Sequence, residues 1–273
     1  MPAHTPPQPS APLDFVIAGV QKGGTTALHT LLRAHPALSL SQATELYIFN
    51  DDRPDWRDHK LAQLDAAFPE PGRLRGEATP VTTYWPNALA RLKTHNPAVR
   101  LIVLVRHPAC RARAHRRVEY ARGAEHLTFA EAIAETGRSP VRAAPGGVHP
   151  VFSYVERGFY AGQLARVYAR FPADNVLVLR TDTLWRAPAR TVRRIEAFLG
   201  VAHRLVPERR YIAPASTAAA MPAEPFRHLL QIYDEDIAAT AETAGIDLAD
   251  WRQPAYREPM APAPPAPSPL DSP

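Results

Sequence analysis

Cysteine and long apolar runs are almost missing from this sequence. Cys110 is the single cysteine among the 273 residues, so an intramolecular disulfide is excluded and a cysteine-based metal site is not expected. No segment approaches the roughly 18 apolar residues of a membrane span, and the first residues lack the basic start and apolar run of a secretory leader. These absences predict a cytoplasmic protein that has no membrane span and needs no metal.

Lysine is also scarce, because it supplies three of the 32 basic residues and arginine supplies the rest. One of the three, Lys22, lies inside the glycine-bearing stretch FVIAGVQKGGTTALHTLL. A compact, rotatable ammonium does different chemistry from a planar guanidinium, so lysine at this position indicates a specific demand of the site. The net charge of +5 suits an anionic ligand and fits a solvated basic surface equally well.

Proline-rich stretches mark both ends of the chain, where they prevent regular packing. We therefore predict disordered tails at residues 1–12 and 258–273 and a single domain at residues 13–257. A composition that is 45% hydrophobic is sufficient for one sizeable core of this length.

Apolar runs and amphipathic stretches alternate along the predicted domain. The runs predict buried parallel strands at residues 15–20, 101–105 and 176–179. The amphipathic stretches predict helices at residues 26–34, 88–95, 128–135, 162–170 and 187–199. This alternation predicts an α/β protein with a P-loop-like, three-layer α/β/α arrangement around a central parallel sheet. Ligands of such sheets bind at the carboxyl ends of the strands.

The stretch around Lys22 has the order strand, glycine turn, helix, which is typical of a phosphate-binding site. Gly23 and Gly24 permit a tight turn and a close approach of the ligand to the backbone. Thr25 and Thr26 open a helix whose free amide groups and positive dipole end face an anion. In the common nucleotide loop the lysine directly follows the second glycine, but here that position is Thr25 and the lysine lies three residues earlier.

The displaced lysine favours one kind of anionic ligand over another. Nucleotide kinases combine the lysine after the glycine with a magnesium ion held by Ser or Thr. A sulfuryl group carries less charge than a phosphoryl group, so a single lysine beside the bridging oxygen can neutralise the transition state without a metal. The loop therefore favours sulfuryl transfer.

At these residues the sequence resembles the sulfotransferases that use 3′-phosphoadenosine 5′-phosphosulfate (PAPS) and release adenosine 3′,5′-bisphosphate (PAP), nearest the branch that acts on heparan-type and other carbohydrates. Their Q-K-x-G-T-T loop matches residues 21–26, and their R-[DN]-P-x-x-R-A-x-S signature resembles residues 106–114. The resemblance implies the family's fold, and it implies that Arg106 contacts the 3′-phosphate of the donor. It also implies that the 5′-phosphosulfate is bound by Gln21, Lys22, Gly23, Gly24, Thr25, Thr26 and Ala27.

Two positions depart from the second signature. Ala114 replaces the serine that shares the 3′-phosphate in the family, and a charged hydrogen bond of this kind contributes about 1.5–3 kcal/mol. His107 replaces the usual Asp or Asn. The neighbouring candidates to compensate are Arg113, His115, Arg116 and Arg117. The later segment ERRYIAP is similar to the loop that closes over the 3′-phosphate, which makes candidates of Arg209, Arg210 and Tyr211.

The acceptor side of the site is also implied by resemblance. The segment TELYIFND resembles the family's K-E-x-x-[FY]-F pattern, in which the glutamate is the general base, so Glu45 is the candidate and Thr44 stands where lysine is common. The segment GEATPVTTY resembles one that lies near the acceptor, and from it and the next residue we expect acceptor contacts by Glu77, Tyr84 and Trp85. Glu77 is the alternative base, and His29 and His35 stay as further alternatives.

Five arginines form a basic stretch, Arg111, Arg113, Arg116, Arg117 and Arg122. Because no nucleic-acid-binding module accompanies them, we predict a solvated helix face and no nucleic-acid partner. The four tryptophans, Trp56, Trp85, Trp185 and Trp251, are predicted as packing residues, with a sugar-binding role equally open for Trp85.

The sequence thus predicts a PAPS-dependent O-sulfotransferase that acts on a hydroxyl of a carbohydrate or of a glycosylated or small metabolite. Two alternatives stay open. A binding-only member that has lost catalysis is suggested by Ala114 and Thr44, and a P-loop small-molecule kinase would require magnesium and ATP. The oligomeric state is left open, a homo-oligomer included.

Overall fold

Five parallel strands form the central sheet of the structure, a computed structural model that describes residues 11–53, 56–68, 72–204 and 221–259. In chain order they are β1 (Phe15–Gly19), β2 (Leu38–Leu40), β3 (Leu74–Glu77), β4 (Arg100–Val105) and β5 (Val176–Arg180). Their spatial order is β2-β3-β1-β4-β5, and every neighbouring pair is parallel. The predicted parallel sheet is confirmed.

Helices connect the strands throughout the described part of the chain. They are α1 (Thr25–Leu32), α2 (Trp56–Ala66), α3 (Ala88–His95), α4 (Pro108–Ala121), α5 (Phe129–Ile133), α6 (Ser139–Ala143), α7 (Tyr160–Tyr168), α8 (Thr181–Arg186), α9 (Pro188–Leu199) and α10 (Ala223–Ala244). Proline suits the first position of α4 and α9, because no intrahelical donor is needed there.

Helices cover both faces of the sheet and produce the predicted three layers. Side chains alternate along β1, so Phe15 and Ile17 share a core cluster with residues of α1 and α9, whereas Val16 and Ala18 pack with residues of α3. A third cluster joins the end of β4 to α4, α7 and α10.

The three predicted strands and all five predicted helices are present, with ends shifted by no more than two residues. The basic stretch predicted as a helix face lies in α4. Two strands and four helices were not predicted: β2, β3, α2, α6, α8 and α10. The two strands are three and four residues long, and β3 has the sequence LRGE, which is not an apolar run. Pairing with neighbouring strands defines them.

All five carboxyl ends lie at one edge of the sheet, because the strands are parallel. The loop with Lys22 follows β1 there, Glu77 ends β3, Arg106 follows β4 and Thr181 follows β5. From β1 the chain passes to the β2–β3 side, and from β3 it crosses to the β4–β5 side. The edge at β1 and β4 is therefore the topological switch point, where ligands of open α/β sheets bind.

Candidate active site

The loop after β1 packs tightly against β4 and leaves the start of α1 open. A Cβ atom on Gly23 would lie 2.6 Å from the Leu104 carbonyl oxygen and 2.8 Å from that of Val20, so only glycine fits. Gly24 has a φ of 92° and precedes α1, which has no side-chain cap and no acidic residue in its first turn. The amide groups at this helix start are therefore available to an anionic group.

Lys22 occupies this loop in an unfavourable backbone conformation. Its φ is 65°, in the left-handed region that costs a residue with a Cβ atom about 1 kcal/mol. Burial lowers the pKa of Lys22, and the negative charge of Glu45 opposes that effect. Strain of this kind persists where the surrounding structure enforces it, and it concentrates at functional sites.

Thr181, at the start of α8, fixes the loop from the other side. Its Oγ1 lies 2.6 Å from the Gly23 carbonyl oxygen and 3.1 Å from that of Val105, and the side chain is buried. The sequence analysis did not single out this residue. The sequence did contain an indication of its role, because Thr181 directly follows an apolar strand. Residues that follow parallel strands lie together at the carboxyl edge of the sheet.

Glu45 lies close enough to Lys22 for its charge to raise the pKa of that lysine, and it belongs to a hydrogen-bonded unit with the end of β3. Its Oε2 accepts a hydrogen bond from the hydroxyl of Tyr47. The amide of Tyr47 donates to Thr79 Oγ1 at 3.1 Å, and Thr79 Oγ1 donates to Glu77 Oε2 at 2.7 Å. The structure thus joins the two segments that the sequence analysis assigned to the acceptor side.

Glu77 lies inside the protein, whereas Glu45 is partly exposed. Burial raises the pKa of Glu77 to about 7, against hydrogen bonds from Thr79 that lower it, and the charge of Glu45 adds to the increase. Its Oε1 has no hydrogen-bond partner among the residues that the structure describes. Of the two carboxyl groups, Glu45 is the one accessible from outside.

The two histidine alternatives are buried and engaged elsewhere. Burial lowers the pKa of His29 to about 4, and its Nε2 lies 3.5 Å from Ser41 Oγ. His35 Nδ1 accepts from the amide of Ala37 at 3.1 Å, and its Nε2 lies 3.0 Å from the carbonyl oxygen of Ala202. Both ring nitrogens of His35 therefore have internal partners.

Arg106 lies directly behind the loop and is already ion-paired. Its Nη1 donates to the carbonyl oxygen of Lys22 at 2.8 Å, while Nε and Nη2 donate to the two carboxylate oxygens of Glu258 at 2.7 and 2.6 Å. Burial alone would lower the pKa of Arg106, but Glu258 outweighs it and raises the pKa. The guanidinium also lies over the ring of Trp185, 5.4 Å from its centroid. Trp185 thus packs as predicted, but within the site.

His107 is a packing residue in place of the Asp or Asn of the family signature. Its ring stacks on Tyr256 with centroids 4.4 Å apart, and its Nε2 lies 3.0 Å from the carbonyl oxygen of Trp251. Burial lowers the pKa of His107 to about 4. The predicted packing role of Trp251 agrees with its burial.

The prediction of a solvated arginine face on α4 was wrong for Arg111. That side chain is 0% exposed and donates to the carbonyl oxygen of Tyr154, because it lies on the face of α4 that packs into the domain. His115 lies on the same buried face, and burial followed by the charges of Arg157 and Arg111 keeps its pKa well below the ordinary value. A neutral imidazole keeps one N–H donor, so His115 stays a candidate to replace the serine hydroxyl that Ala114 lacks.

Arg157, which the sequence analysis did not single out, connects the two sides of the site. Its Nη1 donates to the side-chain oxygen of Gln21, and its guanidinium lies over the ring of Tyr84, 5.2 Å from the centroid. Burial raises the pKa of Tyr84. Trp85 has different contacts, since its Nε1 donates to Asp52 Oδ2 at 3.0 Å.

Some residues and segments named in the sequence analysis lie outside the part of the chain that the structure describes. Arg209, Arg210 and Tyr211 lie outside the described residues, as does most of each predicted tail. In the described ranges, no group of three or more His, Cys, Asp or Glu side chains could hold a metal ion. No helix in the same ranges is long and apolar enough to cross a membrane.

The sequence is similar to curated sulfotransferases. The human heparan sulfate glucosamine 3-O-sulfotransferase 6 is 30% identical over 220 residues, which are 76% of this chain and 60% of the relative. The mouse protein of the same name is 31% identical over 198 residues, 72% of this chain and 54% of the relative. The chain thus spans little more than half the length of these relatives.

Solved sulfotransferases share the fold. A sulfotransferase from Alicyclobacillus acidocaldarius aligns with a TM-score of 0.74 at 24% identity, covering 89% of this chain and all of that one. A mouse sulfotransferase complexed with PAP aligns with a TM-score of 0.51 at 12% identity over 84% of this chain and 85% of that one. The family model described as "Sulfotransferase domain" matches residues 12–217, well over half of the sequence, and this chain therefore belongs to the sulfotransferase domain family.

Proposed function

We propose that this protein is a PAPS-dependent O-sulfotransferase that acts on a hydroxyl group of a carbohydrate-type acceptor. The observation that carries the proposal is the loop after β1, in which Lys22 precedes the uncapped start of α1 and lies close enough to Glu45 for that carboxylate to raise its pKa. Membership of the family supports the reaction class. The names of the human and mouse relatives, which specify glucosamine in heparan sulfate, support a sugar acceptor.

The residues of the loop fit the 5′-end of the donor. The amide groups at the start of α1 suit a phosphate, and Gly23 permits the tight packing that places them. Lys22 supplies a cation in the same loop. The loop differs from the common nucleotide loop in that its lysine lies three residues earlier. In this position the lysine is proposed to face the bridging oxygen of the phosphosulfate.

Arg106 is the proposed ligand of the 3′-phosphate, since it follows β4 and touches the loop through the carbonyl oxygen of Lys22. Arg209, Arg210 and Tyr211 are proposed to complete this end of the donor site. The bidentate pair between Arg106 and Glu258 then has to open, because a phosphate needs the same donors.

The transfer step assigns a separate task to each residue. The donor supplies a sulfuryl group that is joined through a bridging oxygen to the 5′-phosphate. Glu45 takes the proton of the acceptor hydroxyl as the acceptor oxygen forms its bond to sulfur. The bond from sulfur to the bridging oxygen breaks, its electron pair stays on the phosphate, and Lys22 neutralises the charge that develops there. Tyr47 donates to Glu45 and holds the carboxylate in place.

The test is the release of PAP from PAPS with N-sulfated heparan oligosaccharides as acceptor. Simple phenols serve as a second class of acceptor, and ATP with magnesium serves as a second donor. We expect metal-independent PAP release that depends on the oligosaccharide. Binding of PAP without release from PAPS on either acceptor would favour the binding-only alternative, and turnover of ATP would favour the kinase.

A further inference from the structure

Arg157 is a buried cation beside the loop after β1. The proposed mechanism assigns it no role. It lies in the short turn before α7, and the residue is only 3% exposed to solvent. Nη2 donates to the carbonyl oxygens of Pro150 at 2.9 Å and His149 at 3.3 Å, and Nη1 donates to Gln21. Nε has no hydrogen-bond partner among the residues that the structure describes.

Every partner of Arg157 is neutral. Within the described ranges no carboxylate lies at ion-pair distance from its guanidinium, and its three acceptors are two carbonyl oxygens and a side-chain amide. Burial, together with the nearby positive charge of Arg111, lowers its pKa to about 10. A buried charge without an opposite charge is costly, so this geometry is completed best by an anionic group of a ligand.

The position of Arg157 indicates which anionic group that is. Gln21 belongs to the loop that is proposed to hold the donor, and Tyr84 belongs to the segment that is proposed to face the acceptor. The charge of Arg157 also acts on Tyr47, the residue that donates to Glu45. The guanidinium therefore lies between the donor loop and the acceptor side, where the transferred group passes.

We propose that Arg157 is a further donor-binding residue that contacts the sulfuryl oxygens of PAPS. This inference rests on the proposed function. The contact is made in the bound donor and is kept while the bond from sulfur to the acceptor oxygen forms and the bond to the bridging oxygen breaks. Arg157 neither gains nor loses a proton in the step, and PAP, which has no sulfuryl group, does not use the contact.

The test compares the affinities for PAPS and PAP, measured by calorimetric titration of the full chain without acceptor. In Arg157→Gln we expect an affinity for PAP within about twofold of the original protein and an affinity for PAPS reduced about tenfold or more, as for a lost charged hydrogen bond. Arg157→Lys keeps the charge but shortens the reach and loses the fork, so we expect a smaller loss that is again confined to PAPS. If Arg157→Gln does not fold, Arg157→Lys alone is used to compare the two affinities.

Arg138→Gln is the matched control. Arg138 donates to Glu156, the neighbour of Arg157, at 2.8 Å, so its loss disturbs the same turn without removing the unpaired cation. We expect both of its affinities to stay unchanged. Gln21→Ala shows the effect of altering the loop alone, and there we expect the affinities for PAPS and PAP to change together.

Two results would overturn the inference. An unchanged ratio of the two affinities in the Arg157 variants would mean that Arg157 does not contact the sulfuryl group. A parallel fall of both affinities would mean that it acts through Gln21 on the loop. The unaltered protein tests the proposed function separately, because failure to bind PAP and PAPS would remove that function and this inference with it.

Discussion

Glu258 occupies the planar edge of the Arg106 guanidinium with two hydrogen bonds of 2.7 and 2.6 Å. Two residues earlier, Tyr256 stacks on His107, which is the neighbour of Arg106 in the chain. The segment that carries Glu258 is therefore anchored on the same motif whose arginine it pairs with. A carboxylate of this chain thus takes the position that suits a phosphate.

Removing the charge of Glu258 should strengthen PAP binding. In Glu258→Gln we expect the affinity for PAP to rise about tenfold, because the 3′-phosphate no longer competes with a charged hydrogen-bonding partner. Calorimetric titration measures the change. Asp234→Asn is the control, since Asp234 pairs with Arg252 at 2.7 and 2.6 Å in the same geometry elsewhere. A weaker affinity in Glu258→Gln would show that Glu258 orients Arg106 and does not compete with the nucleotide.

Lys22 should be required for transfer and costly for stability. Both Lys22→Ala and Lys22→Gly should abolish PAP release, because the charge on the leaving phosphate is no longer neutralised. Glycine accepts the φ of 65° without strain, so the glycine variant should be more stable than the alanine variant by about 1 kcal/mol. Urea unfolding and PAP release measure the two effects. Near-normal release from either variant would remove Lys22 from the mechanism.

Glu45 should matter for the chemical step and not for nucleotide binding. In Glu45→Gln we expect the affinity for PAP to persist while the transfer rate falls about 10²- to 10⁴-fold, the usual contribution of a general base. Tyr47→Phe, which removes only the hydroxyl that donates to Glu45, should cause a smaller loss. If Glu45→Gln retained its rate and Glu77→Gln lost it, the base would be Glu77.

Glu77 should make the stability of the protein depend on pH. Its pKa is raised by burial from 4.5 to about 7. Between these values Glu77 holds a proton in the folded protein that it has released in the unfolded chain, so the contribution of Glu77 to the free energy of unfolding should fall as pH rises through this window. At about 1.4 kcal/mol per pKa unit the decline is roughly 3 kcal/mol.

Glu77→Gln should remove this contribution, because the amide stays neutral at every pH in the window, so the free energy of unfolding of the variant should rise more steeply with pH than that of the original protein. Urea unfolding at about pH 4.5, 6 and 7.5 measures the slope for both proteins. Equal slopes would show that the proton is held elsewhere. His29 and His107, whose pKa values are lowered to about 4, titrate largely below this window when folded and contribute a rise of stability with pH in both proteins.

The sequence predicted the elements whose local pattern is strong. The apolar runs of β1, β4 and β5 and the glycine turn with Lys22 need no distant partner to be recognised. In contrast, β2 and β3 are defined by pairing, and their few residues carry no apolar run. The missed helix α10 did carry a signal, since Phe226, Leu229, Leu230, Tyr233 and Ile237 recur at helical spacing.

Candidate site residues were named where a short motif carries them and were missed where only tertiary contacts bring residues together. Lys22, Glu45 and Arg106 stand in short patterns, whereas the contacts of Arg157 with Gln21 and of Glu258 with Arg106 join positions more than 130 residues apart. Arg111 shows the same limit, because its burial depends on which face of α4 packs into the domain. Sequence spacing along one helix does not fix that face.

The most direct test of the account is a calorimetric titration of the protein with PAP and with ATP, each with and without magnesium. The account predicts tight binding of PAP that does not depend on magnesium, and little binding of ATP. Binding of ATP that requires magnesium, with no preference for PAP, would contradict it, because Lys22 and its loop would then serve a nucleoside triphosphate.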